Sequence, residues 1–243
     1  MKYAVLSDIH ANLDALEQVL SDIQAEKVDR IINLGDMIGY GAQPEEVIGE
    51  IRRHDIQTLL GNHELAVVDP DYLDWFNPAA RKSLLYTADM IRHPPVRFIR
   101  SLRPFLCIDD CRFVHGYPPD SPLTYLFQAD EKMLRKTFLD LDFRVCFVGH
   151  THHLEIISSG LEGLHRAPLK KGKTRLHRTH RYILNIGSVG QPRDGNKDAK
   201  YILWDDDENS VDLKFVPYDF TAAAEKIRVA GLPEAHAKRL LPG

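Results

Sequence analysis

Tyr3-Ala4-Val5-Leu6-Ser7-Asp8-Ile9-His10 decides how the rest of the chain is read. Four apolar or aromatic residues make a run of buried-strand length, and the residues after them set a carboxylate and an imidazole two positions apart. The arrangement returns downstream. Arg30 to Leu34 runs into Gly35-Asp36, and Thr58 to Leu60 runs into Gly61-Asn62-His63-Glu64. The strand from Arg112 ends on Val114-His115-Gly116, and Val145 to Val148 ends on Gly149-His150-Thr151-His152. Apolar strands that terminate in such groups follow the rule of α/β proteins, whose ligands bind beyond the carboxyl ends of the strands.

Amphipathic stretches separate these runs. Leu13, Leu16, Val19, Leu20 and Ile23 recur at helical spacing, and Pro44 suits the first position of a helix carrying Val47, Ile48 and Ile51. Asn77-Pro78 reads as a cap and first-turn proline for a helix bearing Leu84, Leu85, Ala88 and Ile91. Phe105 to Ile108 pairs with the strand from Arg112 across Asp109-Asp110, and a helix spans Glu131 to Leu139. From Leu154 to Val216 the pattern is mostly strand-like. The chain then turns helical again, with Thr221 as cap, Gly231 as stop and Pro233 as restart. No repeat or long linker divides it, which predicts one domain over residues 1–243, with a helical cap region around 70–103 above the site entrance.

At 243 residues the chain is long enough to bury a substantial core without staples. Its 44% hydrophobic and 27% charged residues exclude disorder and fibrous repeats, and a net charge of −4 excludes the overall basic balance of a dedicated nucleic-acid binder. Three cysteines cannot complete a disulfide framework, so Cys107 and Cys111 read as reduced thiols flanking a turn. The N-terminus reaches Asp8 before any signal-peptide apolar region forms, and no run approaches the roughly 20 residues that span a bilayer. The expected compartment is the cytoplasm, with no membrane partner. One compositional anomaly stands out: His165 to Arg181 holds seven Lys or Arg, three His and no acid. It reads as a solvated hairpin or loop, or alternatively as a contact for an anionic substrate or nucleic acid.

The donor types narrow the chemistry. Asp, His and Asn without Cys suit borderline divalent metals such as Mn, Fe, Co, Ni or Zn. In extended backbone, residues two apart share a side, so Asp8 with His10, and His150 with His152, can each converge on one site. Seven candidate ligands exceed what one ion takes, which implies two ions with Asp36 as the bridge. Any one of these residues alone is as readily a cap, a turn former or a bonded core polar group. Their order carries the information.

That order, Asp-x-His, Gly-Asp, Gly-Asn-His-Glu, His-Gly and Gly-His-Thr-His, closely resembles the calcineurin-like metallophosphoesterase superfamily. The stretch Asn185-Ile186-Gly187-Ser188-Val189-Gly190-Gln191-Pro192-Arg193 is similar to the loop of its small bacterial phosphodiesterase-like branch, with Ile186 where that branch usually has proline. The resemblance implies a four-layer α-β-β-α sandwich of two mixed sheets flanked by helices. It implies one metal held by Asp8, His10, Asp36 and His152, and a second by Asp36, Asn62, His115 and His150. Manganese is the favoured metal. His63 takes the place of the family's catalytic histidine, expected to act as an imidazolium on the leaving group. The implied reaction is attack on a phosphate ester by a hydroxide that bridges the metals.

Around that centre, Glu64 is expected to orient a neighbour. Tyr40 and Arg193 are substrate-binding candidates, against the alternatives of a packed turn and a loop-stabilising cation. His54, His93, His153, His165, His177, His180 and His236 read as surface residues, with His153 close enough to a ligand to touch substrate. Protein Ser/Thr phosphatases follow the bridging Asp with a phosphate-gripping Arg. Asp36-Met37-Ile38-Gly39-Tyr40-Gly41 has none, which favours a phosphodiesterase acting on a small phosphorylated substrate. The alternatives are a phosphomonoesterase or protein phosphatase, a nuclease, and a non-catalytic binding scaffold. Oligomeric state leaves no trace in the sequence.

Overall fold

Strand β1 (Lys2–Leu6) shows why the chain builds layers. Successive strand side chains point to opposite faces, and here both faces are apolar. Tyr3 and Val5 enter one buried cluster, Ala4 and Leu6 another. Such a strand needs cover on both sides and is committed to the middle of the fold. The structure, a computed structural model, describes residues 1–91 and 95–242.

After β1 come α1 (Leu13–Ala25), β2 (Arg30–Asn33), α2 (Pro44–Arg53), β3 (Gln57–Thr58) and α3 (Asn62–Val68). A 3₁₀ turn at Pro70–Trp75 precedes α4 (Pro78–Met90) and α5 (Pro95–Arg100). The hairpin β4 (Phe105–Ile108) and β5 (Cys111–Val114) leads to α6 (Glu131–Asp140) and β6 (Val145–Val148). Then follow β7 (Leu154–Gly160), β8 (Gly163–Pro168), β9 (Gly172–Arg175) and β10 (Arg181–Ile186). The chain closes with β11 (Ala199–Asp205), β12 (Ser210–Val216), α7 (Phe220–Val229) and α8 (Glu234–Leu240).

Two six-stranded sheets result, ordered β3-β2-β1-β11-β12-β9 and β4-β5-β6-β10-β7-β8. Both are mixed. β1, β2 and β3 run parallel in the first, and β5, β6 and β10 in the second, with antiparallel pairing elsewhere. Tyr3, Val5, Phe113, Phe147, Leu184 and Trp204 fill the space between the sheets. Ala4, Leu6, Tyr201 and Leu203 face helices α1, α2, α7 and α8 on one outside, whereas Cys146, Val148 and Ile183 face α6 on the other. This is the four-layer α-β-β-α sandwich expected from the resemblance.

Several local expectations are corrected. α4 starts at Pro78 with Asn77 Oδ1 accepting from the amides of Ala79 and Ala80, as read, but its buried stripe is Ala80, Ser83, Leu84 and Thr87, with Leu85 and Ala88 exposed. α7 is capped by Asp219, whose carboxylate accepts from the Ala222 amide at 2.8 Å, not by Thr221. His165 to Arg181 is no single hairpin. β8 is an edge of the second sheet and β9 an edge of the first, so the stretch crosses between them. Several of its cations are engaged: Arg166 with Glu155, Lys173 with Glu208, and Arg181 with the carbonyls of Phe138, Leu141 and Phe143. The three cysteines are free, and no helix among the described residues is long and apolar enough to cross a membrane.

Phe147 tests the inter-sheet layer. It is fully buried, stacked on Phe113 with ring centroids 5.1 Å apart and edge-on to Trp204 at 6.1 Å. Phe147→Ala removes those contacts and leaves a cavity, so denaturant titration should show a loss of about 3–5 kcal/mol. A loss below about 1 kcal/mol would mean that the two sheets are not packed through this ring.

Candidate metal centre

The polar runs begin where the parallel strands stop, and there the backbone leaves extended geometry. Asp8, His10, Asp36, His150 and His152 all have positive φ, between 51° and 64°. That left-handed region costs a non-glycine residue on the order of 1–3 kcal/mol and persists only where surrounding structure over-determines it. Backbone bonds between loops do so here. Asp8 N–H donates to Gly35 O at 3.0 Å, His10 N–H to Asp36 O at 2.9 Å, and Gly190 N–H to Asp8 O at 2.9 Å. The approach is too close for side chains at two glycines. A Cβ on Gly190 would lie 1.7 Å from Ile9 O, and one on Gly149 would lie 1.9 Å from Ser7 Oγ.

These turns correct the spacing argument. Strand alternation does not aim the i, i+2 pairs, because neither pair lies in extended backbone. Asp8 and His10 fall in one donor group and His150 and His152 in two, all within one buried cluster. Asp8, His10 and His152 form one potential ligand group, and Asp36, His115 and His150 another, with donor atoms within 4.8 Å of one another in each. In the first, His152 Nε2 is 3.1 Å from Asp8 Oδ1 and 3.0 Å from His10 Nε2. In the second, His115 Nε2 is 3.3 Å from Asp36 Oδ2, 3.2 Å from His150 Nδ1 and 3.1 Å from Asn62 Oδ1. Asp36 Oδ2 also lies 3.9 Å from His10 Nε2, so one carboxylate oxygen faces both groups. The structure thus brings all seven candidate ligands, and His63, into one buried cluster.

The remaining atoms of these side chains are held from behind. His10 Nδ1 meets Ile38 O at 3.1 Å, His152 Nδ1 meets Gln191 O at 2.6 Å, and His150 Nε2 meets Leu123 O at 3.2 Å. A ring nitrogen that donates to a carbonyl leaves the other as a lone pair, the tautomer a metal needs. Asp8 Oδ2 accepts from Ser7 Oγ at 2.5 Å and from His150 N–H at 3.0 Å, whereas the buried Oδ1 has no hydrogen-bond partner. Asp36 Oδ1 accepts from His63 N–H at 2.9 Å, which leaves Oδ2 for the cluster. Imidazole nitrogens converging at 3.0–3.2 Å beside an unpartnered carboxylate oxygen suit divalent cations.

A family model for calcineurin-like phosphoesterases matches residues 1–154. The chain belongs to this family. It is 35% identical to an uncharacterized protein of Methanocaldococcus jannaschii, covering 99% of this chain and 97% of that one. Among solved structures it is similar to a metallophosphoesterase from Sphaerobacter thermophilus, at 34% identity with a TM-score of 0.86, over 99% of this chain and 98% of that one. A hypothetical protein from Pyrococcus horikoshii shares the fold at 20% identity and a TM-score of 0.81, over 100% of this chain and 98% of that one.

Electrostatics divides this calcineurin-like centre. Burial pulls His150 and His152 down to about 3 and about 4, so both are neutral near pH 7 and ready to donate a lone pair. Burial opposes protonation of His115 too, but the Asp36 carboxylate overcomes it and pushes His115 up to about 9. A cation entering beside His115 must therefore displace a proton. Burial alone would raise Asp36, but the His115 and His63 imidazoles hold its carboxyl well below the usual range. Burial, with His10 and His115 close by, holds the His63 ring neutral in the free protein, not as an imidazolium.

Residue type alone did not reveal the walls. Tyr125 stacks on His150 with centroids 3.9 Å apart, and Phe76 stands edge-on to His63 at 5.0 Å. With Tyr40, Trp75, Asn77 and Arg193 they line a cleft of about 70 Å³ over the cluster. The start of the 70–103 segment thus forms one rim. His236, read as a surface residue, is buried with its ring 4.7 Å from Tyr40 and Nε2 3.1 Å from Ala79 O. His153, His165 and His177 are exposed and His54 and His180 half-buried, whereas His93 lies outside the described residues.

Glu64 holds the turn at Asp36. Its carboxylate accepts from the amides of Asp36 at 2.7 Å, Gly61 at 3.0 Å and Ile38 at 3.2 Å. Burial and the Asp36 charge push its acid up to about 8, whereas the amide donors favour the ionised form. Glu64→Gln sets an NH₂ group against one of these amides and loosens Asp36. Calorimetric titration with Mn²⁺ should show metal affinity weakened about 10- to 100-fold. Unchanged affinity would remove Glu64 from the support of the centre.

Proposed function

We propose that the protein is a binuclear metal-dependent phosphodiesterase acting on a small phosphorylated substrate in the cytoplasm, with manganese as the favoured metal. The observation that carries the reading is Asp36 Oδ2, which faces two groups of buried donors at once. Asp8, His10, Asp36 and His152 would hold one ion, and Asp36, Asn62, His115 and His150 the other. When bound, such a pair supplies Lewis acidity, activates water near neutral pH and offsets phosphate charge.

The chain's own residues do the rest. His63, neutral and 3.8 Å from Asp36 Oδ2, can donate one hydrogen bond to an ester oxygen as charge develops there. Arg193 and Tyr40 line the cleft from the loops after β10 and β2 and can grip a non-bridging oxygen. Phe76, Trp75 and Tyr125 wall the cleft and limit water.

Diester chemistry is favoured over protein phosphatase chemistry because the residues after Asp36 offer no cation. Met37 and Ile38 are fully buried in the helix-side core. The narrow aromatic rim supports a small substrate. Engagement of Arg166, Lys173 and Arg181 with the protein's own groups speaks against a nucleic-acid track. The free thiols support a reducing compartment.

Mn²⁺-loaded protein should hydrolyse bis(p-nitrophenyl) phosphate faster than p-nitrophenyl phosphate. Asp36→Asn should abolish turnover and lower the bound manganese measured by elemental analysis. His63→Ala should keep the metal and lose about 10²- to 10⁴-fold in kcat. Metal-replete protein inactive on both esters would overturn the enzymatic reading, and faster monoester turnover would overturn the diester preference.

A further inference from the structure

Helix α8 brings a second guanidinium close to Arg193, which lines the cleft. His236 anchors the helix by packing against Tyr40 and bonding Ala79 O, and Arg239 lies three residues on, on the same face. Arg239 Nη1 is 3.4 Å from Gln191 Oε1, and Arg193 Nη2 is 3.3 Å from the same oxygen. Two cationic side chains thus share one neutral carboxamide.

Neither has an acidic partner among the described residues. The neighbouring Asp194 is taken by Lys200, whose Nζ lies 2.8 Å away. Arg193 Nε is buried without a hydrogen-bond partner. Lys197 adds a third cation at this corner, its Nζ donating to Arg239 O at 2.8 Å. Burial and the Arg193 charge together pull the Arg239 guanidinium below its ordinary value. Like charges gathered without a counterion cost free energy in the empty protein, and an anion that bridges them relieves it.

We propose that Arg193 and Arg239 form an anion subsite beside the metal centre, which selects phosphate esters carrying a second phosphate group outside the scissile one. The inference rests on the phosphoesterase reading and adds the substrate class. A phosphate dianion matches two guanidiniums in charge, and its three free oxygens can accept from both forks, whereas a carboxylate matches only one.

The test is calorimetric binding of adenosine 3′,5′-bisphosphate and adenosine 5′-monophosphate to the Mn²⁺-loaded protein. Wild type should bind the bisphosphate at least about 10-fold more tightly, as expected for one added charge-assisted contact. Arg239→Glu should bring the ratio close to one, and Arg239→Lys should restore part of it. Gln191→Glu places a carboxylate between the guanidiniums without removing either, and should also abolish the preference. Melting temperatures within a few degrees of wild type establish that the variants are folded. A wild-type ratio near one, or a ratio that survives in both Arg239→Glu and Gln191→Glu, would overturn the subsite alone. Failure of wild type to bind either nucleotide while it still hydrolyses bis(p-nitrophenyl) phosphate would likewise overturn the subsite alone, whereas inactivity on both p-nitrophenyl esters would overturn the phosphoesterase reading, and the subsite with it.

Discussion

Asp36 stands at the end of β2 in a left-handed turn, with one carboxylate oxygen held by the His63 amide and the other turned toward imidazoles from both sheets. Much of the site depends on that division. An aspartate free to rotate would serve one group of donors or the other. Glu64 prevents rotation of the turn by accepting from the amides of Asp36 and Ile38. The unfavourable backbone is tolerated because neighbouring loops bond to one another past the strand ends, and those bonds are buried. The result is preorganisation: the donors are aimed before any cation arrives.

The same arrangement explains the charge distribution. Burial strips water from every side chain in the cluster, and this favours neutral forms. His150 and His152 obey, whereas His115 is overruled by the carboxylate beside it. His115 and His150, side by side in one group, therefore differ in charge although both are imidazoles. Around Arg193, which lines the cleft, the balance is reversed. Arg193 and Arg239 meet over a neutral amide, and positive charge collects where the metal-binding groups end.

Much of this was legible in the residues. The four layers follow from strands apolar on both faces, and the strand ends are marked by the Asp, His and Asn that succeed them. The errors have definite causes. Leu85 and Ala88 are apolar but turn outward, because the face that α4 buries carries Ala80, Ser83, Leu84 and Thr87. Thr221 was a plausible cap, yet Asp219 lies at the actual helix start. His236 looked like a surface residue because its partners, Tyr40 and Ala79, are more than 150 residues away in the chain. The carbonyls of Ile38, Leu123 and Gln191 that orient the ligand histidines left no mark, since any residue supplies one.

Local pattern determined which side chains lie beyond the strands, because alternation and apolar run length act over a few residues. Folding in three dimensions decided how those side chains are shared. His150 and His152 belong to different groups because a left-handed turn, not a pleated strand, separates them. That turn is held by contacts from Asp8 and Gly149, and its geometry is set by atoms distant in sequence. The neutral state of His63 and the pairing of Arg193 with Arg239 arise in the same way. Both depend on what is brought near after the sheets have packed, and a linear pattern does not encode that proximity.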